Sequence, residues 1–88
     1  MKKYRVRLAP DIRRSLRHFH PGLKTKIRRA LEELEQDPLL GKPLKESLAG
    51  LHSYRVTQYR IIYRINRNEI LVEVIEQLVT HKKLLEKK

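Results

Sequence analysis

Arginines alternate with β-branched and aromatic residues along positions 50–65. The segment reads Gly-Leu-His-Ser-Tyr-Arg-Val-Thr-Gln-Tyr-Arg-Ile-Ile-Tyr-Arg-Ile. Period-two alternation on either side of a two-residue break predicts two antiparallel strands. A guanidinium stays charged and presents paired, planar donors that match a phosphate. Arg55, Arg60 and Arg64 are therefore candidates for binding phosphates on a rigid surface. A solvated basic sheet face is the equally weighted alternative.

Cleavage of RNA without a metal would require proton transfer beside such arginines. The 2′-hydroxyl must lose a proton, the phosphate charge must be neutralised, and the 5′-oxygen must gain a proton. His52, before the strand that carries Arg55, and His81, after the last strand, are candidates for proton transfer. The loop leading to these strands adds Lys42, Lys45 and Glu46. A lone loop histidine is more often structural, however, and charged loop residues are usually solvated.

Composition narrows the class of protein and the class of partner. The chain has 88 residues, which predicts a single domain over residues 1–88. It has 21 Lys and Arg against 10 Asp and Glu, a net charge of +11, so we expect a polyanionic or acidic partner. The absence of cysteine excludes disulfides and thiolate metal sites, and we expect neither a metal nor a cofactor. No apolar run resembles a signal peptide or a membrane span, so we expect a cytoplasmic protein with no membrane partner.

The remaining patterns predict an α+β fold in which an N-terminal strand and a helical hairpin precede three antiparallel strands. The predicted strands are Lys3–Leu8, Ser53–Thr57, Tyr59–Asn66 and Ile70–Glu76. One helix is expected to begin near Pro10, and a second to run from Leu23 until Asp37-Pro38 ends it, after a break at Pro21-Gly22. Residues 39–49 are expected to form a connecting loop, and residues 78–88 a mobile or short helical tail. Both helices should pack on one face of a twisted sheet.

Alternation also predicts which side chains of the strand over residues 59–66 face the helices. Arg60 and Arg64 should share one face, with Ile62 between them making that face partly apolar. The opposite face is the natural core face and should carry Tyr59, Ile61, Tyr63 and Ile65.

The central segment resembles the RelE/ParE superfamily of toxins from type II toxin–antitoxin systems. The resemblance lies in Gly41-Lys-Pro-Leu-Lys, in Gly50-Leu and in Ser53-Tyr-Arg-Val-Thr-Gln-Tyr-Arg-Ile-Ile-Tyr. Thr57-Gln58 stands where the family often has Gly-Asp. Length, element order and basic character agree as well. The resemblance implies a RelE-like fold and a cognate acidic antitoxin that wraps the basic surface, in a toxin–antitoxin hetero-oligomer.

In the RelE-like branch, the resemblance implies a metal-independent endonuclease that cleaves mRNA on the ribosome and so inhibits translation. By motif position, Arg60 corresponds to the arginine that stabilises the phosphate, and Arg55 to the preceding basic strand residue. Lys42, Lys45 and Glu46 lie in a loop that sometimes contributes a base or a phosphate contact.

The C-terminal segment departs from the family pattern, which usually ends in Gly-His-Arg followed by a tyrosine. Its counterpart here is His81-Lys82-Lys83, and no tyrosine follows Tyr63. His81 is then the candidate for proton transfer. Contacts to the ribosome or to RNA are expected from Lys42, Lys45, Arg64, Lys82 and Lys83. The missing tyrosine leaves two alternatives open: a ParE-like inhibitor of DNA gyrase without nuclease chemistry, and an inactive toxin.

Overall fold

The computed structural model describes residues 4–78, which form two helices and a five-stranded mixed sheet. The strands are β1 (Arg5–Leu8), β2 (Lys42–Pro43), β3 (Leu51–Val56), β4 (Tyr59–Asn66) and β5 (Glu69–Gln77). The helices are α1 (Pro10–Arg17) and α2 (Pro21–Gln36), and short 3₁₀ helices cover Pro38–Leu40 and Glu46–Leu48. Within the described residues, neither α1 nor α2 has the length and the apolar composition that a membrane-spanning helix requires. The tail expected over residues 78–88 lies, beyond Leu78, outside the described residues.

The sheet has the strand order β1-β5-β4-β3-β2. Strand β1 pairs in parallel with β5, and the other neighbours are antiparallel. The predicted α+β architecture is confirmed. Two of its features, strand β2 and the parallel pairing of β1, were not predicted. The predicted loop over residues 39–49 contains β2, which at two residues is too short to show alternation. The parallel pairing of β1 is possible because the helical hairpin, β3 and β4 together form the long connection that parallel neighbours need.

Helix α2 begins two residues earlier than predicted, because Pro21-Gly22 is its first turn rather than a break. Proline suits this position since its missing N–H would lack an intrahelical partner. The preceding His20 caps the helix, where its Nδ1 accepts a hydrogen bond from the Gly22 N–H at 3.1 Å. At the other end, the Asp37 carboxylate accepts from the Leu39 N–H at 3.1 Å and starts the following 3₁₀ helix.

The core lies between the helices and one face of the sheet. Its fully buried side chains are Ile27 and Leu34 from α2, Ile61 and Tyr63 from β4, and Ile70 and Val72 from β5. Because side chains alternate along a strand, the residues between these core positions project away from the helices. We call that opposite side of the sheet the outer face.

A β-bulge interrupts the pairing of β4 with β5. Ile62 pairs with Val74 and Tyr63 pairs with Val72, so Glu73 has no residue opposite it. One extra residue on β5 changes which of its side chains share a face on either side of the bulge. The bulge therefore determines which side chains of β5 meet the arginines of β4.

Candidate functional site

Arg55 and Arg60 are direct cross-strand partners in the β3–β4 hairpin. Residues paired in this way project to the same face of a sheet. Core residue Ile61 pairs with Tyr54, so the two arginines lie on the outer face. The structure thus brings together two of the three arginines that the sequence proposed for phosphate binding. Arg64 lies on the same face, four residues along β4.

Each of these guanidinium groups has a partner within the protein. Arg60 forms an ion pair in which its Nε and Nη2 both contact Oε2 of Glu76. Arg64 donates from Nε to Oε2 of Glu73 at 3.2 Å. Arg55 donates from Nε to the carbonyl of Thr57 at 3.0 Å, within its own hairpin.

The two ion pairs remain accessible from solvent. The Arg60 and Glu76 side chains are 40% and 42% exposed, and Arg64 and Glu73 are 47% and 35% exposed. Ion pairs with this exposure contribute at most about 1 kcal/mol to stability. A phosphate can therefore take the place of the glutamate at little cost in stability.

An apolar strip separates the arginines, as the alternation predicted. Ile62 lies between Arg60 and Arg64 and is only 8% exposed, although it does not belong to the core under the helices. Its cross-strand partner Val74 is 41% exposed. The outer face thus combines cationic groups with a small apolar area.

Strand β2 adds a lysine to this face. Lys42 pairs with Ser53, which in turn pairs with Ile62, so Lys42 lies at the edge of the same surface. Lys45 and Glu46 are exposed in the loop that follows β2. Glu46 has a φ of 58°, in the left-handed region.

His52 lies on the other side of the sheet from the arginines. It pairs with buried Tyr63, and the two rings stack with centroids 5.3 Å apart. Its Nδ1 is buried and has no hydrogen-bond partner within residues 4–78. The sheet separates this ring from Arg55 and Arg60, so the geometry favours a structural role for His52 over proton transfer.

The remaining predicted site residues lie outside the described residues. They are His81, Lys82 and Lys83. Their assignment to proton transfer and to backbone contacts stays a prediction. No group of three or more potential metal ligands occurs within residues 4–78.

Sequence reasoning missed Glu73 and Glu76 as neighbours of the arginines. The available signal was a pair of glutamates on the strand that follows an arginine-bearing strand. The pairing could not be derived from that signal, because the bulge shifts the register of β5 at Glu73.

A groove of about 200 Å³ lies on the helix side of the sheet, away from the arginines. Its lining is Leu8, Leu16, Lys24, Ile27, Arg28 and Leu31. The groove is largely apolar, with two cations among its lining residues. The candidate phosphate ligands therefore lie on an open face and not in this groove.

Comparison with known proteins agrees with this arrangement of strands and helices. The sequence-family model that describes the ParE toxin of type II toxin–antitoxin systems (parDE) matches residues 3–82 of this chain. This chain belongs to the RelE/ParE superfamily of type II toxins. It is 36% identical over 74 residues to Toxin RelG of Mycobacterium tuberculosis, covering 82% of this chain and 85% of that protein. It is 42% identical over 59 residues to Toxin RelE of the same organism, covering 60% and 61%.

A solved structure from Mycobacterium tuberculosis shares the fold. The crystal structure of the toxin–antitoxin complex RelBE2 from Mycobacterium tuberculosis contains a chain that superimposes with a TM-score of 0.77 at 32% identity. The match covers 85% of this toxin and 98% of that chain. The superfamily and the α+β fold expected from the central motif are both confirmed.

Proposed function

We propose that this RelE/ParE toxin is a metal-independent, ribosome-dependent mRNA endonuclease that inhibits translation. The observation that carries the proposal is the cross-strand pair of Arg55 and Arg60 on the open outer face. Two guanidinium groups at adjacent positions can hold one phosphate and neutralise the charge that develops on it during cleavage. The similarity to proteins named RelE and RelG supports the RelE-like branch.

Each proposed site residue has a specific task in this reaction. Arg60 and Arg55 contact the non-bridging oxygens of the scissile phosphate. His81 accepts the proton that the 2′-hydroxyl loses or donates the proton that the 5′-oxygen gains, and solvent water exchanges the other proton. The contacts to the ribosome or to the message backbone are made by Lys42, Lys45, Arg64, Lys82 and Lys83.

An acidic antitoxin is the proposed protein partner. The chain carries a net charge of +11, so an acidic protein is electrostatically complementary. The similar RelBE2 toxin was solved in a toxin–antitoxin complex. We therefore expect a toxin–antitoxin hetero-oligomer here too, with cytoplasmic translation as the target of the released toxin.

Inhibition of DNA gyrase without RNA cleavage is the second candidate function. Two observations favour it: the matching family model is described as a ParE toxin, and no tyrosine follows Tyr63. Under this alternative the arginines of the outer face would bind a protein or DNA surface and cut nothing.

The first test replaces one proposed phosphate ligand. Arg60→Ala should relieve growth arrest on induction and lower mRNA cleavage roughly 10²-fold or more, because a preorganised donor to the reacting phosphate is removed. Arg7→Ala is the matched control. Arg7 lies on β1, also pairs with a glutamate of β5 (Glu69, at 3.3 Å), and has no proposed role in cleavage.

Primer extension on translated messages after induction separates the two functions. Cuts in phase with codons that disappear with Arg60→Ala and persist with Arg7→Ala support the endonuclease. Intact messages together with a DNA damage response support the gyrase inhibitor. If Arg60→Ala stays fully toxic while folding normally, the assigned role of Arg60 is wrong.

A further inference from the structure

Glutamates of β5 pair with Arg60 and Arg64 of the outer face, whereas Arg55 donates to a backbone carbonyl. Three ion pairs join an arginine to a glutamate within residues 4–78, and in each of them β5 supplies the glutamate. Their members are Arg7–Glu69, Arg64–Glu73 and Arg60–Glu76. The second and third pairs include residues of the proposed RNA-binding site.

The bulge makes these two pairs possible at the same time. Arg60 and Arg64 are four residues apart and share a face. Glu73 and Glu76 are three residues apart, and in a regular strand such residues would point to opposite faces. The extra residue at Glu73 breaks this alternation, so each glutamate meets an arginine. The two ion pairs thus depend on the β-bulge as well as on the presence of both glutamates.

Carboxylates in these positions oppose the binding of an RNA backbone. A phosphate that binds the Nε–Nη2 edge of Arg60 must displace Glu76, since Oε2 of Glu76 contacts both of these nitrogens. It also meets the like charge of the displaced carboxylate a few ångströms away. For exposed groups this opposition is about as large as the ion pair itself, which is small but unfavourable for every RNA.

We propose that Glu73 and Glu76 are specificity-determining residues that weaken the binding of free RNA to Arg60 and Arg64. Weak intrinsic affinity makes productive binding depend on a message that is held in place by additional contacts, such as those on a ribosome. The net charge of +11, which includes both glutamates, attracts any RNA through its phosphates, so carboxylates beside the proposed site lower affinity at the place where cleavage would occur. This inference rests on the proposed endonuclease function and names a feature that favours a ribosome-bound message over free RNA.

The test compares three single charge removals on one strand. Glu76→Gln and Glu73→Gln remove a carboxylate beside a proposed phosphate ligand and keep the size of the side chain. Glu69→Gln removes a carboxylate of the same strand that pairs with Arg7 instead. The full-length variants are titrated into a short fluorescent single-stranded RNA over a series of salt concentrations, and thermal unfolding confirms that each variant is folded.

We expect Glu76→Gln to bind free RNA about five-fold more tightly than the unsubstituted protein, with Glu73→Gln changing in the same direction. The slope of log affinity against log salt should steepen by about 0.7 for each additional phosphate that the variant binds. Glu69→Gln should change the affinity less than about two-fold. Equal affinity of Glu76→Gln and the unsubstituted protein, or an equal increase with Glu69→Gln, overturns the inference.

An RNA cleavage assay distinguishes a failure of the inference on Glu76 from a failure of the proposed endonuclease function. The unsubstituted protein and Glu76→Gln are each given free RNA and an RNA of the same sequence under translation. If the unsubstituted protein cuts neither, the endonuclease function fails whatever the binding data show. If it cuts only the translated RNA, Glu76→Gln should narrow the difference in cleavage between the two substrates. An unchanged difference counts against the role of Glu76.

Discussion

Tyr63 attaches the segment after α2 to the sheet. Its hydroxyl donates to the Pro38 carbonyl at 2.5 Å and accepts from the Gly41 N–H at 3.1 Å, and its ring is fully buried. Burial raises the pKa of this phenol. The φ of Gly41 is not positive, so backbone conformation does not explain why glycine occupies this position. A Cβ at Gly41 would collide with the Tyr63 hydroxyl oxygen and lie 2.9 Å from Cε1 of the ring, so only glycine fits there.

Gly41→Ala should therefore destabilise the protein by about 1–3 kcal/mol, because the added methyl group overpacks a buried site and disturbs both hydrogen bonds of Tyr63. Chemical denaturation measures the free energy of unfolding. Gly22→Ala is the matched control: a Cβ there meets its nearest neighbour at 3.4 Å. A Gly41→Ala variant as stable as Gly22→Ala would contradict the predicted clash.

Thr57 adopts a backbone conformation that a β-branched residue seldom takes. It occupies the first central position of the two-residue turn between β3 and β4 and has a φ of 54°. The family often has glycine at this position. The left-handed region costs a residue with a Cβ about 1–2 kcal/mol, and glycine reaches it freely. The departure from the family pattern thus has a physical cost.

Thr57→Gly should raise the free energy of unfolding by at most about 0.5 kcal/mol, because the relief of strain exceeds the chain entropy of glycine and the loss of the hydrogen bond from Thr57 Oγ1 to the Val56 carbonyl (2.6 Å). Gln58→Gly is the control, because Gln58 has no positive φ and glycine there adds only the entropic cost. Thermal unfolding of both variants measures the difference. Destabilisation by both substitutions would show that strain at Thr57 is not limiting.

A side-chain hydrogen bond joins α2 to β3, in addition to the apolar packing of the core. The Tyr54 hydroxyl donates to Oε1 of Glu33 at 2.7 Å. This hydrogen bond, with burial as a second cause, raises the pKa of Tyr54 above its ordinary value of 10.0. The protonated phenol is therefore favoured in the folded protein. Its contribution to stability is complete below about pH 10 and is lost as the pH rises through the folded pKa.

Tyr54→Phe should lower stability near neutral pH by about 0.5–1.5 kcal/mol, the value of a typical hydrogen bond, and should make the alkaline loss of stability shallower. Urea unfolding across the alkaline range measures both effects. Tyr59→Phe is the control, since the Tyr59 hydroxyl makes no hydrogen bond within residues 4–78. An alkaline slope unchanged in Tyr54→Phe would rule out the assigned contact.

Over the molecule as a whole, cationic groups cover both sides of the protein. The outer face carries the arginines of β3 and β4, and the helical hairpin exposes a second set: Arg13, Arg14, Arg17, Lys26, Arg28 and Arg29. Proteins with so large a charge attract polyanions at long range, and salt weakens that attraction. An acidic antitoxin can therefore neutralise the cationic groups of the helical hairpin as well as those of the proposed site.

The cognate antitoxin should raise the unfolding temperature of the toxin, because it binds the folded state. At an antitoxin concentration of about 100 times Kd, the stabilisation is roughly 2.7 kcal/mol. The shift should shrink at high salt, since part of the attraction is electrostatic. Thermal unfolding of the mixture at low and high salt tests this. No shift at either salt concentration would argue against the proposed partner.

Much of the fold followed from local patterns. The alternation of residues 59–66 placed Arg60 and Arg64 opposite the buried face, and the structure has them there. Helical spacing located α1 and α2, although His20 and Pro21 begin α2 earlier than the Pro-Gly pair suggested. These properties depend on the repeat of a strand or helix, which nearby residues determine.

Contacts between distant segments could not be predicted in this way. The residue pattern alone established which residue types share a face, because the period of a strand is a property of its own backbone. Long-range packing was needed to join β1 to β5 in parallel, to stack His52 on Tyr63, and to pair Glu73 and Glu76 with the arginines of β4. Register, bulges and partners across the sheet depend on how separate segments pack, and no local repeat encodes that packing.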